Sequence, residues 1–471
     1  MTLPNLYLAD LGPGLELSPS TLHEAAYAIR RNREQWLRRQ RTRTLVELLA
    51  YAADRWRDPQ NSFRLRALSE GAADAGFGPA TLARGLDAFL ASVTAENLEG
   101  LIVQDLGDAK RLDGFAGTMP ELRTGRTSFA RGPELLVHFC AGNLPTPTLM
   151  NLVLGVLTKS AQFFKLPTRG GLIPRLFAHS LAELEPKLGA CLEFATWPRE
   201  RLDLEDALLA NADCVTATGS DERIQAVRQR MPVRTRLVIY GHRVSFAYIA
   251  SEMLTLYGLK RLVADAAADI VAWNQLGCLS PHVIYVQDQG VVSPEGFASA
   301  LADELARLEK LEPRGELSPT EAGAILSART VYEMRRAVGP GPLDLARQES
   351  VFFESAHTVH LWQSEESTAW TVVLDTDPTF KHSCLQRFIY IKPVKQLAAV
   401  LRFAEPIRSQ LSTVALAAQE DIGAAHALEL ARWGATRICP LGRMQAPPLL
   451  WRHDGRPALG DLVTWTDLES C

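Results

Sequence analysis

Leu135-Leu136-Val137-His138-Phe139-Cys140, followed by Ala141-Gly142-Asn143-Leu144-Pro145, is the stretch that decides the fold. A short apolar run bounded by Gly and Pro is typical of a buried β-strand, and an apolar helix candidate, 148–157, follows it. The alternation continues with strand and helix candidates at 160–166, 174–188, 213–217, 221–230 and 236–240. Strands alternating with helices predict a parallel, doubly wound sheet, and such sheets bind ligands at the carboxyl ends of their strands.

The regions on either side of this alternation differ from it. The first hundred or so residues have apolar residues at helical spacing, with helix candidates at 41–56 and 79–93. A second α/β region begins near Ser245, and residues 461–467 alternate as in a terminal strand. The helix candidates of this second α/β region are 251–257, 259–269, 294–311 and 394–404. We therefore expect an α/β fold of two or three domains, as a length of 471 residues also indicates.

The composition is that of an ordinary soluble globular protein, with 47% hydrophobic and 22% charged residues. A formal net charge of −4 argues against a nucleic-acid-binding protein, which is usually basic. The one basic cluster, residues 29–40, is predicted to be the solvated face of a long N-terminal helix.

Targeting and cysteine patterns predict a cytoplasmic protein. No apolar run approaches the roughly 18 residues that span a bilayer, and residues 1–4 lack the layout of a signal peptide. The seven cysteines are scattered, odd in number and without CxxC spacing, which argues against a disulfide framework and a zinc site. We therefore expect a reducing compartment and no metal.

Cys278 is the residue most typical of a catalytic site. It lies in Asn274-Gln275-Leu276-Gly277-Cys278-Leu279-Ser280-Pro281, just before the apolar run 283–286. A structural cysteine normally lies among branched apolar residues, whereas a nucleophilic one needs a polar, accessible setting in which its thiolate can form. His282 and His242 could assist the thiol, but a structural role is the favoured interpretation of both.

Small and polar residues follow several of the predicted strands. Asn143 can donate an amide hydrogen to an oxyanion, or serve only as a turn residue. Lys165 can reach a ribose or phosphate, or simply face solvent. Thr218-Gly219-Ser220 can offer backbone N–H groups to a phosphate, or form an ordinary helix cap. The sequence has no GxGxxG motif.

Three stretches together resemble the aldehyde dehydrogenase superfamily, and within it the LuxC-like acyl-CoA reductases (long-chain acyl-thioester reductases) of bacterial bioluminescence. The first combines Gly142-Asn143-Leu144-Pro145 with Phe164-Lys165-Leu166-Pro167, and the second is the cysteine loop 274–281. The third comprises Arg437-Ile438-Cys439-Pro440-Leu441-Gly442-Arg443-Met444, His453-Asp454-Gly455-Arg456 and Leu462-Val463-Thr464-Trp465.

The resemblance implies roles for these residues. Cys278 would be the nucleophile and Asn143 the oxyanion donor, together with the Cys278 backbone N–H. The cofactor-binding residues would be Lys165, Thr168, Arg169, Thr218, Gly219 and Ser220. Lys165 would hold the adenosine ribose, and Arg169 beside it could accept a 2′-phosphate. NADPH is therefore the expected cofactor, with NADH possible.

The resemblance also implies the domain organisation. A Rossmann-like cofactor-binding domain with the N-terminal helical region would occupy 1–244, and a catalytic α/β domain with Cys278 would occupy 245–445. Residues 446–471 would return to the first domain and end in an oligomerisation strand. That strand would pair with residues near 115–132 in a small flap, and a homo-oligomer, either a dimer or a tetramer, is expected.

One departure from the superfamily bears on the reaction. Hydrolytic aldehyde dehydrogenases carry Glu-Leu-Gly-Gly, whose glutamate activates water, whereas this chain has Val238-Ile239-Tyr240-Gly241-His242-Arg243. A general base contributes about 10²–10⁴-fold, so an acyl-cysteine lacking one should resist water. The predicted function is therefore NAD(P)H-dependent reduction of an acyl thioester to an aldehyde, with coenzyme A as the leaving group.

Other functions stay open on the sequence alone. The alternatives are an aldehyde dehydrogenase that makes an acid or acyl-CoA, a non-redox acyl-cysteine transferase or carrier, and a non-catalytic scaffold. The acyl donor could be acyl-CoA, an acyl-carrier thioester or an acyl-activating or acyl-transferring partner enzyme. Neither nucleic acid nor a membrane span is expected.

Overall fold

The computed structural model describes residues 3–11, 16–338 and 357–469. Its α-helices are α1 (Pro19–Gln35), α2 (Thr42–Arg57), α3 (Ser62–Arg66), α4 (Ala72–Ala75), α5 (Pro79–Ser92), α6 (Ala95–Leu106), α7 (Met119–Arg123), α8 (Thr146–Leu157), α9 (Leu172–Leu184), α10 (Pro186–Gly189), α11 (Leu202–Asn211), α12 (Asp221–Arg230), α13 (Leu259–Val271), α14 (Pro294–Leu311), α15 (Pro319–Val338), α16 (Leu397–Phe403) and α17 (Glu420–Trp433). Its strands are β1 (Arg126–Arg131), β2 (Leu135–Phe139), β3 (Ala161–Lys165), β4 (Leu192–Ala195), β5 (Cys214–Thr218), β6 (Arg236–Tyr240), β7 (Val244–Ile249), β8 (Pro281–Gln287), β9 (Val359–Gln363), β10 (Thr371–Asp375), β11 (Phe388–Val394), β12 (Leu411–Ala417), β13 (Arg437–Pro440) and β14 (Thr464–Glu469). Among the described residues, no helix combines the length and apolar character needed to cross a membrane.

The chain divides into two compact units. The first consists of Met1–Ala75, Leu86–His242 and Pro448–Cys471, and the second of Gly76–Gly85 and Arg243–Pro447. These two units differ from the expected domains mainly in the segment 76–85, which belongs to the second unit. It packs within the second unit because the ring of Phe77 contacts that of Trp273 and Arg84 pairs with Glu312.

The first unit is built on a parallel five-stranded sheet in the order β4-β3-β2-β5-β6. The chain starts in the middle at β2, adds β3 and β4 on one side, then crosses to add β5 and β6 on the other. Strands β2, β3 and β4 are wholly buried, as expected for a sheet covered by helices on both faces. The order reverses between β2 and β5, and sheets of this type bind ligands at such a point.

A separate two-stranded sheet in the first unit joins distant parts of the chain. Strand β1 pairs antiparallel with β14, in a register that sets Arg126 opposite Glu469 and Arg131 opposite Thr464. All six residues of β14 are exposed. Its role in oligomerisation stays a prediction.

The second unit is built on a seven-stranded sheet in the order β13-β12-β7-β8-β11-β10-β9, parallel except for β9. Apolar residues of α13 and α14 pack on one face of the sheet, including Ile270 and Phe297. Residues of α15, α16 and α17 pack on the other face, including Tyr332, Val400 and Trp433. The prediction of an α/β fold with parallel sheets is confirmed.

Several predicted elements differ from those observed, for local reasons. The helix expected at 174–188 breaks at Glu185, because Pro186 has no N–H to donate and begins α10. Of the helix expected at 251–257, only a short 3₁₀ turn forms at 251–253. The carbonyl of Leu254 accepts from Val292 N–H instead of from a following helical turn.

The basic run 29–40 is not wholly a solvated face. Arg33 is buried and its Nε donates to the Lys159 carbonyl at 2.7 Å. The carbonyl of Asn211 accepts from Arg30 at 2.6 Å. These two arginines therefore fasten α1 to the rest of the first unit, which the charge pattern does not reveal.

Gly85 is required by a close approach in the second unit, and replacing it by alanine should destabilise the protein. A Cβ at Gly85 would lie 2.0 Å from Cζ2 of the buried Trp273. Overpacking of this kind costs about 1–3 kcal/mol, which exceeds the roughly 1 kcal/mol that alanine gains over glycine in a helix. We expect a lower urea midpoint for Gly85→Ala. The matched control is Gly323→Ala in α15, where the added Cβ meets nothing within 4 Å and the midpoint should hold or rise. Equal midpoints for the two variants would contradict this prediction.

Candidate active site

The loop that carries Cys278 begins with an unusual backbone turn. Trp273, Asn274 and Gln275 have φ values of 54°, 51° and 62°, in the left-handed region that residues other than glycine rarely adopt. All three side chains are buried. Gln275 Nε2 donates to the carbonyls of Pro281 at 2.9 Å and Phe388 at 3.2 Å. The surrounding hydrogen bonds therefore hold a strained turn, as is typical of functional sites.

A second left-handed turn supports the first. Leu385, Gln386 and Arg387 have φ values of 66°, 57° and 65°. The carbonyl of Asn274 accepts from Gln386 N–H at 2.9 Å, and its side-chain oxygen accepts from Arg387 Nε at 2.9 Å. Two segments more than a hundred residues apart in sequence are thus bonded together beneath the cysteine loop.

Cys278 itself is partly exposed and precedes β8 by three residues. Its carbonyl accepts from the Ser245 hydroxyl at 2.7 Å, and that hydroxyl oxygen in turn accepts from Thr413 N–H at 3.1 Å. Ser245 lies where the register of β7 shifts against both neighbours, β8 and β12. Cys278 therefore lies at the amino-terminal edge of its sheet, not at the carboxyl edge where sequence reasoning places ligands.

The environment of the other described cysteines disfavours the thiolate, although Cys140 and Cys384 are partly exposed like Cys278. Burial raises the pKa of Cys140 and of Cys191 to about 12. It raises the pKa of Cys214, Cys384 and Cys439 to about 11. These five thiols are protonated at neutral pH and are poor nucleophiles. The seventh cysteine, Cys471, lies outside the described residues.

The two histidines considered as helpers have structural contacts. His282 is buried in β8, and its Nδ1 accepts from Ser383 N–H at 3.1 Å. His242 is exposed, and its backbone N–H donates to the Asp221 carboxylate at 3.2 Å.

In the first unit, the predicted cofactor residues lie at the carboxyl edge of the five-stranded sheet. Lys165 ends β3 and pairs in register with Phe139, the last residue of β2. Thr218 ends β5, and Asn143 lies in the exposed loop after β2. Neighbouring strands are about 4.8 Å apart, so these positions share the edge on either side of the point where the strand order reverses.

Lys165 is largely buried at this edge, with its Nζ 5.7 Å from the ring centroid of Trp197. Burial lowers the pKa of Lys165, and Arg223 lowers it further, while Glu205 and Cys140 oppose the shift and Arg199 adds to it. An anionic or hydroxyl-rich ligand would relieve this concentration of positive charge.

Arg223 is a charge at this edge that sequence reasoning missed. Its guanidinium pairs with the fully buried Glu205, with Nη1 to Oε2 at 3.2 Å, and lies 5.4 Å from the ring centroid of Phe139. It follows Ser220 by three residues, and its own N–H donates to the Ser220 hydroxyl. Only the folded chain shows that it reaches the end of β2.

The amino end of α12 is already capped by its own residues. Ser220 is the N-cap, and Asp221 and Glu222 add two carboxylates to the first turn. These negative charges reduce the attraction of this helix end for a phosphate. Positive charge at the edge comes instead from Lys165, because Arg223 is paired with Glu205.

Thr168 and Arg169 are exposed in the loop that follows β3. This loop approaches the one after β2 through glycines, since a Cβ at Gly142 would lie 2.8 Å from the Arg169 carbonyl oxygen. Gly170, with φ of +80°, similarly faces the Gly142 carbonyl. The two loops that carry Asn143 and Arg169 are therefore packed backbone to backbone.

A profile of the acyl-CoA reductase (LuxC) family matches residues 37–465. The chain belongs to the LuxC family. A relative from Photobacterium leiognathi, named long-chain acyl-protein thioester reductase 2, is 23% identical over 336 residues, which cover 71% of this chain and 63% of the relative. A long-chain acyl-protein thioester reductase from Photorhabdus laumondii is 22% identical over 375 residues, covering 79% of this chain and 70% of that protein. The match to the Photobacterium relative thus spans less than two thirds of its length.

Solved structures show that this LuxC-family protein has the aldehyde dehydrogenase fold. An NAD-dependent benzaldehyde dehydrogenase from Corynebacterium glutamicum aligns with a TM-score of 0.66 at 12% identity, covering 97% of this chain and 91% of the other. An NADP-dependent glyceraldehyde-3-phosphate dehydrogenase from Bacillus halodurans aligns with a TM-score of 0.66 at 13% identity, covering 96% and 92%. The predicted family and fold are confirmed, and the roles of individual residues stay predictions.

The described part of this LuxC-family chain shows no group of three or more His, Cys, Asp or Glu side chains arranged to hold a metal ion.

Besides Arg223, sequence reasoning missed Ser245 as a support of the cysteine loop. Nothing in the sequence indicates that a serine near the start of an apolar strand donates a hydrogen bond to a residue 33 positions away.

Proposed function

We propose that this protein reduces an acyl thioester to an aldehyde with a nicotinamide cofactor, through an acyl group carried on Cys278. The observation that carries the proposal is the Cys278 loop. Cys278 is partly exposed and follows a strained, buried turn, whereas three other described cysteines are buried and the remaining two, Cys140 and Cys384, have thiols whose pKa burial raises to about 12 and 11. Family membership supports the same chemistry.

In the proposed reaction, the Cys278 thiolate attacks the thioester carbonyl. A bond forms between Sγ and the carbonyl carbon, and the bond to the donor sulfur breaks, releasing the donor as a thiolate that takes up a proton. A bound, reduced nicotinamide cofactor would supply the hydride that the acyl carbon on Cys278 accepts. The Cys278 sulfur then leaves, and an aldehyde is released. Following the resemblance, Asn143 and the Cys278 N–H are the proposed oxyanion donors in both stages.

The carboxyl edge of the five-stranded sheet fits a dinucleotide. It lies at the reversal of strand order, Lys165 gives it a positive charge, and its loops approach closely at Gly142. We propose that Lys165 holds the adenosine ribose, and that Thr168 and Thr218-Gly219-Ser220 contact the cofactor. Arg169 is exposed and could meet a 2′-phosphate, which favours NADPH over NADH.

The end of β6 and the turn that follows it favour reduction over hydrolysis. Residues 238–243 contain no carboxylate at the place of the water-activating glutamate of hydrolytic aldehyde dehydrogenases, and the Asp221 carboxylate beside them accepts from His242 N–H. Without a general base, water attack on the acyl-cysteine loses about 10²–10⁴-fold. The proposed products are therefore an aldehyde and a free thiol, with little acid.

Single-turnover chemistry tests the proposal. The protein is mixed with long-chain acyl-CoA or an acyl-carrier-protein thioester, first alone and then with NADPH or NADH. We expect acylation of the protein without cofactor, and oxidation of NADPH with equimolar aldehyde when it is added. Acid as the main product would favour the dehydrogenase alternative. Acylation with no use of either cofactor would favour a transferase or carrier.

Lys165→Met should weaken cofactor binding without disabling the thiol. A hydrogen bond from a charged group contributes about 1.5–3 kcal/mol, so KM for the cofactor should rise about 10-fold or more while acylation of Cys278 is unchanged. The control is Lys187→Met in α10, where the lysine is exposed. An unchanged KM in Lys165→Met, measured by initial rates of NADPH oxidation, would remove Lys165 from the proposed cofactor site.

A further inference from the structure

Arg437 begins β13 at the same sheet edge as Cys278. In the parallel pairing of β12 with β13, Arg437 is the register partner of Thr413. Thr413 N–H donates to the Ser245 hydroxyl oxygen, and the Ser245 hydroxyl donates to the Cys278 carbonyl. One row of backbone and hydroxyl contacts thus runs from Arg437 to the cysteine across β12 and β7.

The Arg437 side chain also fixes the turn after β13. Its Nη1 donates to the Met444 carbonyl at 2.7 Å and its Nη2 to the Arg443 carbonyl at 2.8 Å. From the other side, the Asp269 carboxylate accepts from Gly442 N–H at 2.6 Å and Met444 N–H at 2.9 Å.

The next residue of this turn returns to the cysteine loop. Gln445 Nε2 donates to the hydroxyl of Ser280, two residues after Cys278, at 2.5 Å. Arg437 is therefore linked to the cysteine loop twice, through Ser245 and through Gln445.

Burial and the neighbouring groups act on Arg437 in opposite directions. Burial lowers the pKa of Arg437, while Cys439, Asp269 and Cys278 act to raise it and Arg443 acts to lower it. Burial raises the pKa of Asp269 to about 7, while the N–H groups of Gly442 and Met444 and the charge of Arg437 act to lower it. The Cys439 thiol, with a pKa of about 11, stays neutral.

We propose that Arg437 is a positioning residue for Cys278, whose buried positive charge stabilises the nucleophilic thiolate. The inference rests on the proposed function for the identity of the nucleophile and deepens it by naming what activates the thiol. An ordinary cysteine pKa is about 8.5, and a one-unit decrease increases the thiolate about tenfold near neutral pH. Arginine suits this role because it stays charged when buried.

Alkylation kinetics of the whole chain test the inference without substrate or cofactor. Iodoacetamide is applied between pH 5.5 and 10, and modification of the Cys278 peptide is followed by mass spectrometry. In the parent protein, we expect the alkylation rate of Cys278 to reach half its maximum at a pH at least about one unit below 8.5. In Arg437→Gln, the midpoint should rise by about one unit and the rate at pH 7 should fall about tenfold.

Two further variants separate charge from structure. Arg437→Lys keeps the charge but loses the paired carbonyl contacts, so its midpoint should stay near that of the parent. Ser245→Ala removes one of the two connections to the loop but keeps Arg437 and the connection through Gln445, so its midpoint should shift less than that of Arg437→Gln.

A parent midpoint at or above 8.5 would overturn the inference, and this measurement requires no variant to fold. Equal midpoints in the parent and in a folded Arg437→Gln, or equal upward shifts in Arg437→Gln and Arg437→Lys, would also overturn it. Because alkylation uses neither acyl donor nor cofactor, these results stand apart from the turnover tests of the proposed function.

Discussion

Replacing Cys278 with alanine is expected to abolish both acylation of the protein and reduction of the acyl group. Removing a catalytic nucleophile typically lowers turnover on the order of 10⁴-fold or more, because no other group forms the covalent intermediate. The five other described thiols are poor substitutes, since burial keeps them protonated. The measurement is the intact mass of the protein after incubation with acyl-CoA, followed by NADPH oxidation in the same sample.

The matched control is Cys384→Ala. Cys384 is also partly exposed and lies in the second unit, but burial of its thiol raises its pKa to about 11. This variant should be acylated like the parent, and both variants should unfold at similar urea concentrations. An acyl adduct that persists in Cys278→Ala, mapped to another residue, would transfer the proposed role to that residue.

Local patterns in the sequence predicted most of the secondary structure. Helices 221–230 and 294–311 and strand 236–240 have the predicted bounds, because capping residues and apolar periodicity mark their ends within a few positions. The strand ends that carry Asn143, Lys165 and Thr218 follow from the same alternation. A parallel sheet brings such ends to one edge, so the sequence predicts their grouping as well as their existence.

The support of Cys278 could not be predicted in this way. The Ser245 hydroxyl bonds Thr413 across 168 positions, and Arg387 bonds Asn274 across 113. No local period or propensity records such contacts. The rule that ligands bind at carboxyl ends of strands does not lead to the cysteine loop either, because that loop precedes β8. The stretch 437–444 was recognised by its resemblance to the family. The proposed effect of the Arg437 charge on the Cys278 thiol, however, depends on the folded sheet.

Arg387→Met should cause the largest loss of stability among the variants considered. Arg387 is almost fully buried, with 1% relative exposure, and burial lowers its pKa to about 10, so it remains charged at neutral pH. Its Nη1 donates to the Glu309 carboxylate at 2.6 Å and to the Glu312 carbonyl at 3.0 Å, and its Nε donates to Asn274. Methionine leaves these acceptors without that donor, and because the Glu309 side chain is 24% exposed, the loss should lie at or below the roughly 3–5 kcal/mol for breaking a fully buried ion pair from one side.

The loss of stability should come with a loss of function, because the same arginine joins the two left-handed turns. Without the bond from Nε to Asn274, the turn 273–275 loses one of the contacts that hold it in a strained conformation, and the Cys278 loop that follows it should become less ordered. We expect slower acylation of Cys278 even at urea concentrations well below the unfolding transition. Arg387→Lys should recover little, since one ammonium group cannot reproduce the geometry of a guanidinium that bonds three acceptors.

Arg307→Met provides the comparison for a surface charge. Arg307 pairs with Glu304 on the exposed side of α14, where ion pairs contribute little to stability. Its urea midpoint and acylation rate should match those of the parent. If Arg387→Met behaved like Arg307→Met in both measurements, the paired turns would not be what holds the cysteine loop, and the row formed by Ser245, Thr413 and Arg437 would have to hold it alone.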